Sequence, residues 1–455
     1  MDENLILDKV ILNEEQKKAI KQIQDFIKLG NSDEWFVLEG KAGVGKTTVI
    51  THAIQPFLSK KRIVLSALSH KAKNVVHQKV KELTFGDEPR GLLSLSVASM
   101  LGMTFDLETG QFVKIYTRKK PKIKNMDIII VDECSMINEM GLSLIMSEKK
   151  KTAKVIFLGD VGQLPPIRED GDKNGEVSPT FNTINRFKLY NRVRQFVDSK
   201  ILPYSDYYWE NSVVSDDPVE DPIPLYERES GFDLIFKTDL EETIKENVER
   251  FLELKNPKKQ DLIKVIVYKN KTREMINWYI RDLIYNKPKE YEVGDILIFN
   301  DNYGDGDEIL IENSTEVSIN SISNTKFNNK WVGYIINVTD GFESWDVEVL
   351  SKETYPDYNK YISELFKEAK SLPFGRTRTN RLKNAWSAKR RFANIDFGYA
   401  ITSHKSQGST YRYVIVVEDD ILSVAPITSV EKSQSLYTAI TRASDKVFIV
   451  SELNE

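Results

Sequence analysis

The sequence predicts an α/β protein with two parallel-sheet lobes, and three observations predict it. Short apolar runs rich in β-branched residues recur in two groups, one before residue 160 and one after residue 263. A glycine-rich stretch, GKAGVGKT at 40–47, follows the first run and opens a helical segment. The chain has 455 residues, more than one ordinary hydrophobic core holds, so it divides.

Taken in order, EEQKKAIKQIQDFIKLG at 14–30 carries its apolar residues on one helical face and stops at Gly30. WFVLE at 35–39, RIVLSA at 62–67, DIIIVD at 127–132 and KVIFLG at 154–159 are apolar runs of strand length. Such runs suit strands buried on both faces of a parallel sheet. MTFDLETGQFVKIY at 103–116 alternates about a Glu-Thr-Gly turn and predicts an inserted hairpin. The second group is KVIVY at 264–268, YAIT at 399–402, YVIVV at 413–417 and KVFIV at 446–450. A β-rich stretch at 291–350, a helix over 355–370 and a basic segment interrupt it. The acidic, Tyr/Pro-rich stretch 203–230 reads as a loop or a partly ordered insertion.

Apolar residues make up 40% and charged residues 29%, as in a soluble globular protein. The acidic start MDENLILDKV predicts no signal peptide. No apolar stretch approaches the roughly 18 residues of a membrane span, so no membrane partner is expected. A single cysteine, Cys134, excludes an internal disulfide framework and a cysteine zinc site, and a reducing, cytoplasmic setting follows. Net charge is −4, yet residues 371–391 carry seven Lys/Arg and no acid, and 114–124 carry six and no acid. Affinity for a polyanion follows such local patches, not the sum.

The chemistry begins at GKAGVGKT. Gly40, Gly43 and Gly45, with Val44 between, let backbone N–H groups approach a triphosphate. Lys46 reaches the β and γ oxygens, Thr47 coordinates Mg²⁺, and Thr48, next after the run, is a further ATP-binding candidate. IIIVDECSM ends a strand in two acids, Asp132 to hold the magnesium and Glu133 to orient and deprotonate the attacking water. In FLGDVGQLPPI, 157–167, Asp160 and Gln163 point to the same sheet edge, where neutral Gln163 senses a γ-phosphate without repelling it. Gln16 is a candidate for an adenine edge. ATP and Mg²⁺ are therefore the expected ligands. Each feature alone has a bland reading, whether a glycine turn, acids at a strand end or a surface glutamine; their combination carries the argument.

In chain order, GKAGVGKT, DECSM, GDVGQLPP, AITSHKSQG and YTAITRA resemble the motif set of superfamily 1 helicases, and within it the RecD-like branch, superfamily 1B. The resemblance runs over roughly 12–450 and takes in SHKAKN at 69–74 and VYKNKTREMINWYIR at 267–281. It implies two RecA-like P-loop NTPase lobes facing each other across the nucleotide. The first would comprise 1–102 and 125–187, with a pin hairpin at 103–124 inserted; the second would comprise 188–285 and 396–455, with an SH3-like β-barrel and helical extension at 286–395 inserted. It implies that Arg442 of YTAITRA and Arg194 of LYNRVRQ act on the γ-phosphate as fingers, beside Lys46, Glu133 and Gln163.

The resemblance also implies a nucleic-acid track. Ser69, His70 and Lys71, with Ser96 and Ser99 nearby, would grip phosphates from the first lobe. Thr402, His404, Lys405 and Gly408, with Asn270 and Lys271, would grip from the second. Trp386 is a candidate stacking ring, with packing in the core of the insertion the equal alternative, and Phe105, Phe112 and Tyr116 are the candidate duplex-splitting rings of the pin, with no choice among them. The chain departs from the family pattern in LSH at 68–70, at Asn191 and in ENSTE at 312–316.

The implied activity is an ATP-driven motor moving 5′ to 3′ along single-stranded DNA and unwinding duplex. It would be a monomer in a bacterial or phage-infected cytoplasm, meeting duplex junctions and proteins of replication, repair or recombination. An RNA-directed or non-unwinding translocase is the alternative, because backbone-phosphate contacts alone do not distinguish the sugars. A third reading, an ATP-gated binding module, would use the phosphate loop but has no need of TSHKSQG and two arginines.

Overall fold

The computed structural model describes residues 12–67, 91–105, 112–114, 121–166, 177–191, 199–213, 228–304, 310–424 and 428–451. The first half of the chain supplies β1 (Trp35–Gly40), β2 (Ile63–Ala67), β3 (Leu92–Ser96), β4 (Met103–Phe105), β5 (Phe112–Lys114), β6 (Ile128–Asp132), β7 (Lys154–Gly159) and β8 (Arg186–Leu189). Six of these form a parallel sheet in the order β3-β2-β6-β7-β1-β8. Its central strands are buried on both faces, as their continuous apolar runs require. One face packs on helices α1 (Glu14–Leu29) and α2 (Lys46–Ile54), through Ile23, Val49 and Ile50. The other packs on Met100, Leu142 and Ile145 from helices Val97–Leu101 and Glu139–Glu148. β4 and β5 pair antiparallel as a hairpin, Phe105 opposite Phe112.

The second half supplies β9 (Leu234–Lys237), β10 (Ile263–Val267), β11 (Ile296–Phe299), β12 (Glu316–Phe327), β13 (Trp331–Thr339), β14 (Ser344–Leu350), β15 (Ile395–Phe397), β16 (Ala400–Thr402), β17 (Tyr411–Val417) and β18 (Ala443–Val450). Five make a second parallel sheet, β16-β10-β17-β18-β9. The other five make an antiparallel sheet, β14-β13-β12-β11-β15, inserted between β10 and β16. A helical pair, Tyr355–Ser371 and Arg376–Arg390, leaves this sheet between β14 and β15 and packs on it through Trp331, Tyr358 and Phe392. Val265 and Val267 of β10 share one core with Ile296, Val317 and Val347 of the insertion. Two fully buried ion pairs cross the same boundary, Lys264–Glu316 at 3.0 Å and Arg281–Asp295 at 2.9 Å.

Three elements differ from the sequence expectation. The stretch expected as a loop at 203–230 begins as a helix, Ile201–Val213, whose Tyr204, Tyr208 and Trp209 are buried in the second lobe's core. Pro203 lies in its first turn, where no intrahelical N–H bond is lost. The tyrosine hydroxyls are satisfied by Glu418, at 2.7 and 2.9 Å, so a polar-looking face is an interior one. Residues 214–227 lie outside the described residues. β8 runs across the expected lobe boundary at 187/188 and belongs to the first sheet, and β15 runs across that at 395/396 and belongs to the antiparallel one.

Among the described residues no helix is long and apolar enough to cross a membrane, and no group of three or more His, Cys, Asp or Glu is placed to hold a metal ion.

Candidate functional site

The loop from β1 into α2 passes twice through the left-handed region, at Gly43 (φ 82°) and Gly45 (φ 87°). Gly45 is the N-cap of α2, with no side-chain cap and no acid in the first turn. A helix start of this kind presents bare amides and a positive dipole end to an anion. Lys46 Nζ donates to the carbonyls of Gly40, at 2.6 Å, and Lys41, at 3.2 Å, so the ammonium lies along the loop itself. The carbonyls of Thr47 and Thr48 accept from the Thr51 hydroxyl at 2.8 and 2.9 Å, which fixes the first turn.

Val44 buries its side chain in the core and offers only its backbone to the loop. Its carbonyl accepts from Gln16 Nε2 at 3.2 Å, while Gln16 Oε1 accepts from Asn13 N–H at 3.2 Å. Gln16 thus belongs to a capping box that braces the loop from below, with both ends of its amide engaged. Reaching an adenine edge requires it to give up one of these bonds.

The parallel sheet brings the ends of β1, β6 and β7 to one edge, the crevice where α/β sheets bind ligands. Asp132 ends β6, and its Oδ1 accepts from Glu133 N–H at 2.9 Å. Glu133 stands at φ 54°, a left-handed conformation that costs a non-glycine residue about 1–3 kcal/mol and clusters at functional sites. Gln163, past the end of β7, is 4% exposed, and among the described residues no donor reaches its Oε1. Gln407, from the second lobe, is in the same condition and donates to the Leu164 carbonyl at 3.4 Å. A buried acceptor without a donor costs about 1–3 kcal/mol. Two such oxygens, one from each lobe, fit a site that takes water or a hydrogen-bonding ligand.

The second lobe meets this edge directly. Tyr437, on helix Ser429–Ile440, donates its hydroxyl to Asp160 Oδ2 at 2.6 Å and accepts from Ala42 N–H of the loop at 2.8 Å. Trp209 Nε1 donates to Asp160 Oδ1 at 2.8 Å. Lys41 of the loop pairs with Asp206 at 2.5 Å and lies 4.2 Å over the Trp209 ring. Gly162 is needed here, since a Cβ would meet Trp209 Cδ1 at 2.1 Å. Sequence reasoning singled out none of Tyr437, Trp209, Lys41 and Asp206 as site residues. The first lies inside YTAITRA, and two lie in the stretch read as a loop.

Arg442 is buried and held by its own lobe. Its Nε donates to Thr438 O at 3.0 Å, Nη1 to Ser409 O at 3.3 Å and Nη2 to Thr441 Oγ1 at 3.2 Å. It lies two residues past the end of helix Ser429–Ile440, the helix that carries Tyr437. Arg194 lies outside the described residues.

The candidate nucleic-acid contacts divide by surroundings. Asn270 and Lys271 are exposed at the start of helix Asn270–Tyr285, just past Tyr268 and Lys269, whose N–H groups donate to Asp420 at 2.7 and 2.8 Å. Thr402 is nearly buried and caps the short helix behind it by accepting from Lys405 N–H at 3.3 Å. Gly408 takes φ 72°. Lys405 Nζ is bonded to Asn300 of the insertion, and burial pushes its pKa down. Ser96 caps its helix and bonds to Ser99 Oγ at 2.9 Å, so these two hydroxyls satisfy each other.

Trp386 is a correction. The ring expected to stack on a base is 9% exposed and packs edge-on against Phe366 at 4.6 Å, because it holds the two extension helices together. Ser69, His70, Lys71 and Tyr116 lie outside the described residues, and for Phe105 and Phe112 only the backbone is described.

His404 packs edge-on against Tyr268 at 5.4 Å, and burial pushes its pKa below the ordinary histidine value. A depressed folded-state pKa contributes stability that is complete above the unfolded value of about 6.5 and is lost as pH falls through the folded one. His404→Gln should therefore flatten the acid side of the stability profile below about pH 6.5, read by urea melts at pH 5 and 7.5.

An AAA domain family model matches residues 11–200, and a UvrD-like helicase C-terminal domain model matches 397–450. The chain is 25% identical to the ATP-dependent DNA helicase dda of Enterobacteria phage T4, over 96% of this chain and 99% of that protein. It is 25% identical to the RecBCD enzyme subunit RecD of Buchnera aphidicola subsp. Schizaphis graminum, over 91% of this chain and 70% of that one. Its fold is similar to that of the Pif1 helicase from Bacteroides, solved with ADP-AlF3 and ssDNA, with a TM-score of 0.54 and 16% identity over 97% of this chain and 92% of that chain. With a phosphate loop on one parallel-sheet lobe, the helicase C-terminal segment on the other and an antiparallel insertion between, the chain is an ATP-dependent DNA helicase of superfamily 1B, similar to its RecD-like members.

Proposed function

We propose that the enzyme moves 5′ to 3′ along single-stranded DNA and opens duplex ahead of it, driven by closure and release of its two lobes around ATP. The observation that carries the reading is the Tyr437 bridge, in which the YTAITRA segment of the second lobe bonds to both Ala42 of the phosphate loop and Asp160 beside it. Chemistry at the loop is thereby felt by the second lobe within one hydrogen bond.

In this reading Lys46 and the loop amides hold the triphosphate, Glu133 orients and deprotonates the attacking water, and Gln163 senses the γ-phosphate. Thr47 and Asp132 would hold a magnesium ion, which neutralises charge between the β and γ oxygens when bound. Arg442 and Arg194 would meet the charge that grows on the γ-phosphoryl group, and Arg442 must exchange carbonyls of its own lobe for phosphate oxygens to do so. The hairpin β4–β5 would be the wedge at the junction. The two relatives named for DNA or crystallised with it support DNA as the track.

The experiment is an unwinding assay on matched duplexes with a 5′ or a 3′ single-stranded tail, alongside ATPase stimulation by DNA and RNA oligomers. Opening of the 5′-tailed duplex alone and stimulation by DNA are expected. Preference for the 3′ tail overturns the polarity, and preference for RNA overturns the track.

A further inference from the structure

We propose that Tyr437 is a positioning residue that competes with the γ-phosphoryl group for the Ala42 N–H and so transmits occupation of the phosphate loop to the second lobe. The inference rests on the reading of the loop as the ATP site. Tyr437 is fully buried, and its hydroxyl has one proton, given to Asp160 Oδ2 at 2.6 Å. Its remaining capacity is as an acceptor, and that is used by Ala42 N–H at 2.8 Å. Ala42 lies between Gly40 and the two turned glycines, where loop amides face the end of a triphosphate. A phosphate oxyanion is a stronger acceptor than a phenol, so a single N–H offered to both goes to the phosphate.

The exchange does not release the tyrosine altogether. Asp160 is buried and keeps the hydroxyl, while its other oxygen holds Trp209 Nε1 at 2.8 Å and Gly162 N–H at 3.1 Å. Two donors from the second lobe thus converge on one carboxylate of the first. Of the two, Tyr437 alone bonds to a loop amide, whereas Trp209 meets the loop only through the Lys41 side chain over its ring. Bound phosphate leaves the lobes joined through Asp160 and the Lys41–Asp206 pair but frees the loop amide from the second lobe; loss of the phosphate restores the bond from Ala42. The consequence is a split in kinetic effects. Removing the hydroxyl favours nucleotide binding, because a competitor for Ala42 is gone, and weakens the link by which DNA on the second lobe accelerates turnover at the first.

The test compares Tyr437→Phe, which keeps the ring in its core, with Trp209→Phe, which removes the other donor to Asp160 and leaves Ala42 alone. ATPase kinetics are measured with and without single-stranded DNA, and melting temperatures report the fold. For Tyr437→Phe, KM for ATP should fall about two- to tenfold, the size of one neutral hydrogen bond in an equilibrium constant, and stimulation of kcat by DNA should shrink. Trp209→Phe should reduce stimulation without lowering KM. An unchanged or raised KM in folded Tyr437→Phe overturns the proposal, as does an equal fall in KM in both variants, which would assign the effect to Asp160 and not to the loop. A wild-type enzyme whose hydrolysis ignores DNA would instead overturn the function proposed above, so the two failures are distinguishable.

Discussion

Lys46→Ala should abolish ATP hydrolysis, by roughly a thousandfold or more, while single-stranded DNA binding stays within about twofold. The Lys41 ammonium is paired with Asp206, whereas that of Lys46 lies along the loop, bonded to the carbonyls of Gly40 and Lys41. It has only to leave those two carbonyls to place a point charge on the β and γ oxygens. Alanine keeps the loop amides, since Lys46 begins α2 and alanine is the better helix former there. The glycines that set the loop, and the Gln16 brace beneath it, are untouched. A coupled ATPase assay with saturating DNA and anisotropy of a labelled oligonucleotide check the two halves. Loss of both by the same factor would mean that the lysine holds the lobe together. More than a tenth of wild-type turnover would mean that it does not meet the phosphates.

The sheet edge was legible because the residues that make it are consecutive. GKAGVGKT, VDE and GDVGQ each sit on a strand end, and a strand buried on both faces announces itself by unbroken apolar sequence. β3, β8 and β9 were missed for the converse reason. They are LLSLS, RFKL and LIFK, and all three lie at sheet edges, where only part of the strand is covered and polar residues are tolerated. The helix at 201–213 was missed because its buried face is written in tyrosines, whose hydroxyls need Glu418 from a strand end two hundred residues away to become interior groups. Trp386 could not be assigned between a base and the core because a tryptophan in a basic run looks the same whether it faces a base or Phe366. The interlobe bridge depends on residues brought together only by the docking of two sheets, Ala42, Asp160 and Tyr437, and no spacing within one motif encodes it.

Arg281→Met should destabilise the second lobe by about 3–5 kcal/mol, a large fraction of the about 5–15 kcal/mol of a typical domain. Arg281 and Asp295 are both completely buried, joined through Nε and Nη2 at 2.9 Å each, with Tyr399 OH donating to the same carboxylate at 3.0 Å. The guanidinium also holds the carbonyls of Lys289 and Glu290, at 2.8 and 3.2 Å, and lies 3.9 Å over the Phe397 ring. Methionine fills much of that volume but leaves the carboxylate uncompensated, and the loss of one partner from a buried pair is the costly case. The pH dependence gives the signature. Burial already pushes the Asp295 pKa up, against the pull of Arg281, and removing the arginine raises it further. A folded-state pKa above the unfolded value of about 3.9 contributes stability below the unfolded pKa that is lost as pH rises through the folded one. The deficit of the variant should therefore be larger at pH 8 than at pH 5, by urea denaturation. Arg281→Met with Asp295→Leu should recover part of the deficit and lose its pH dependence, as expected when no charge is left buried. Arg281 comes from the helix behind β10 and Asp295 from the start of β11, so the pair joins the second lobe to its insertion. A deficit equal at the two pH values would mean that the arginine contributes packing alone, and that the insertion is held to the lobe by its shared apolar core.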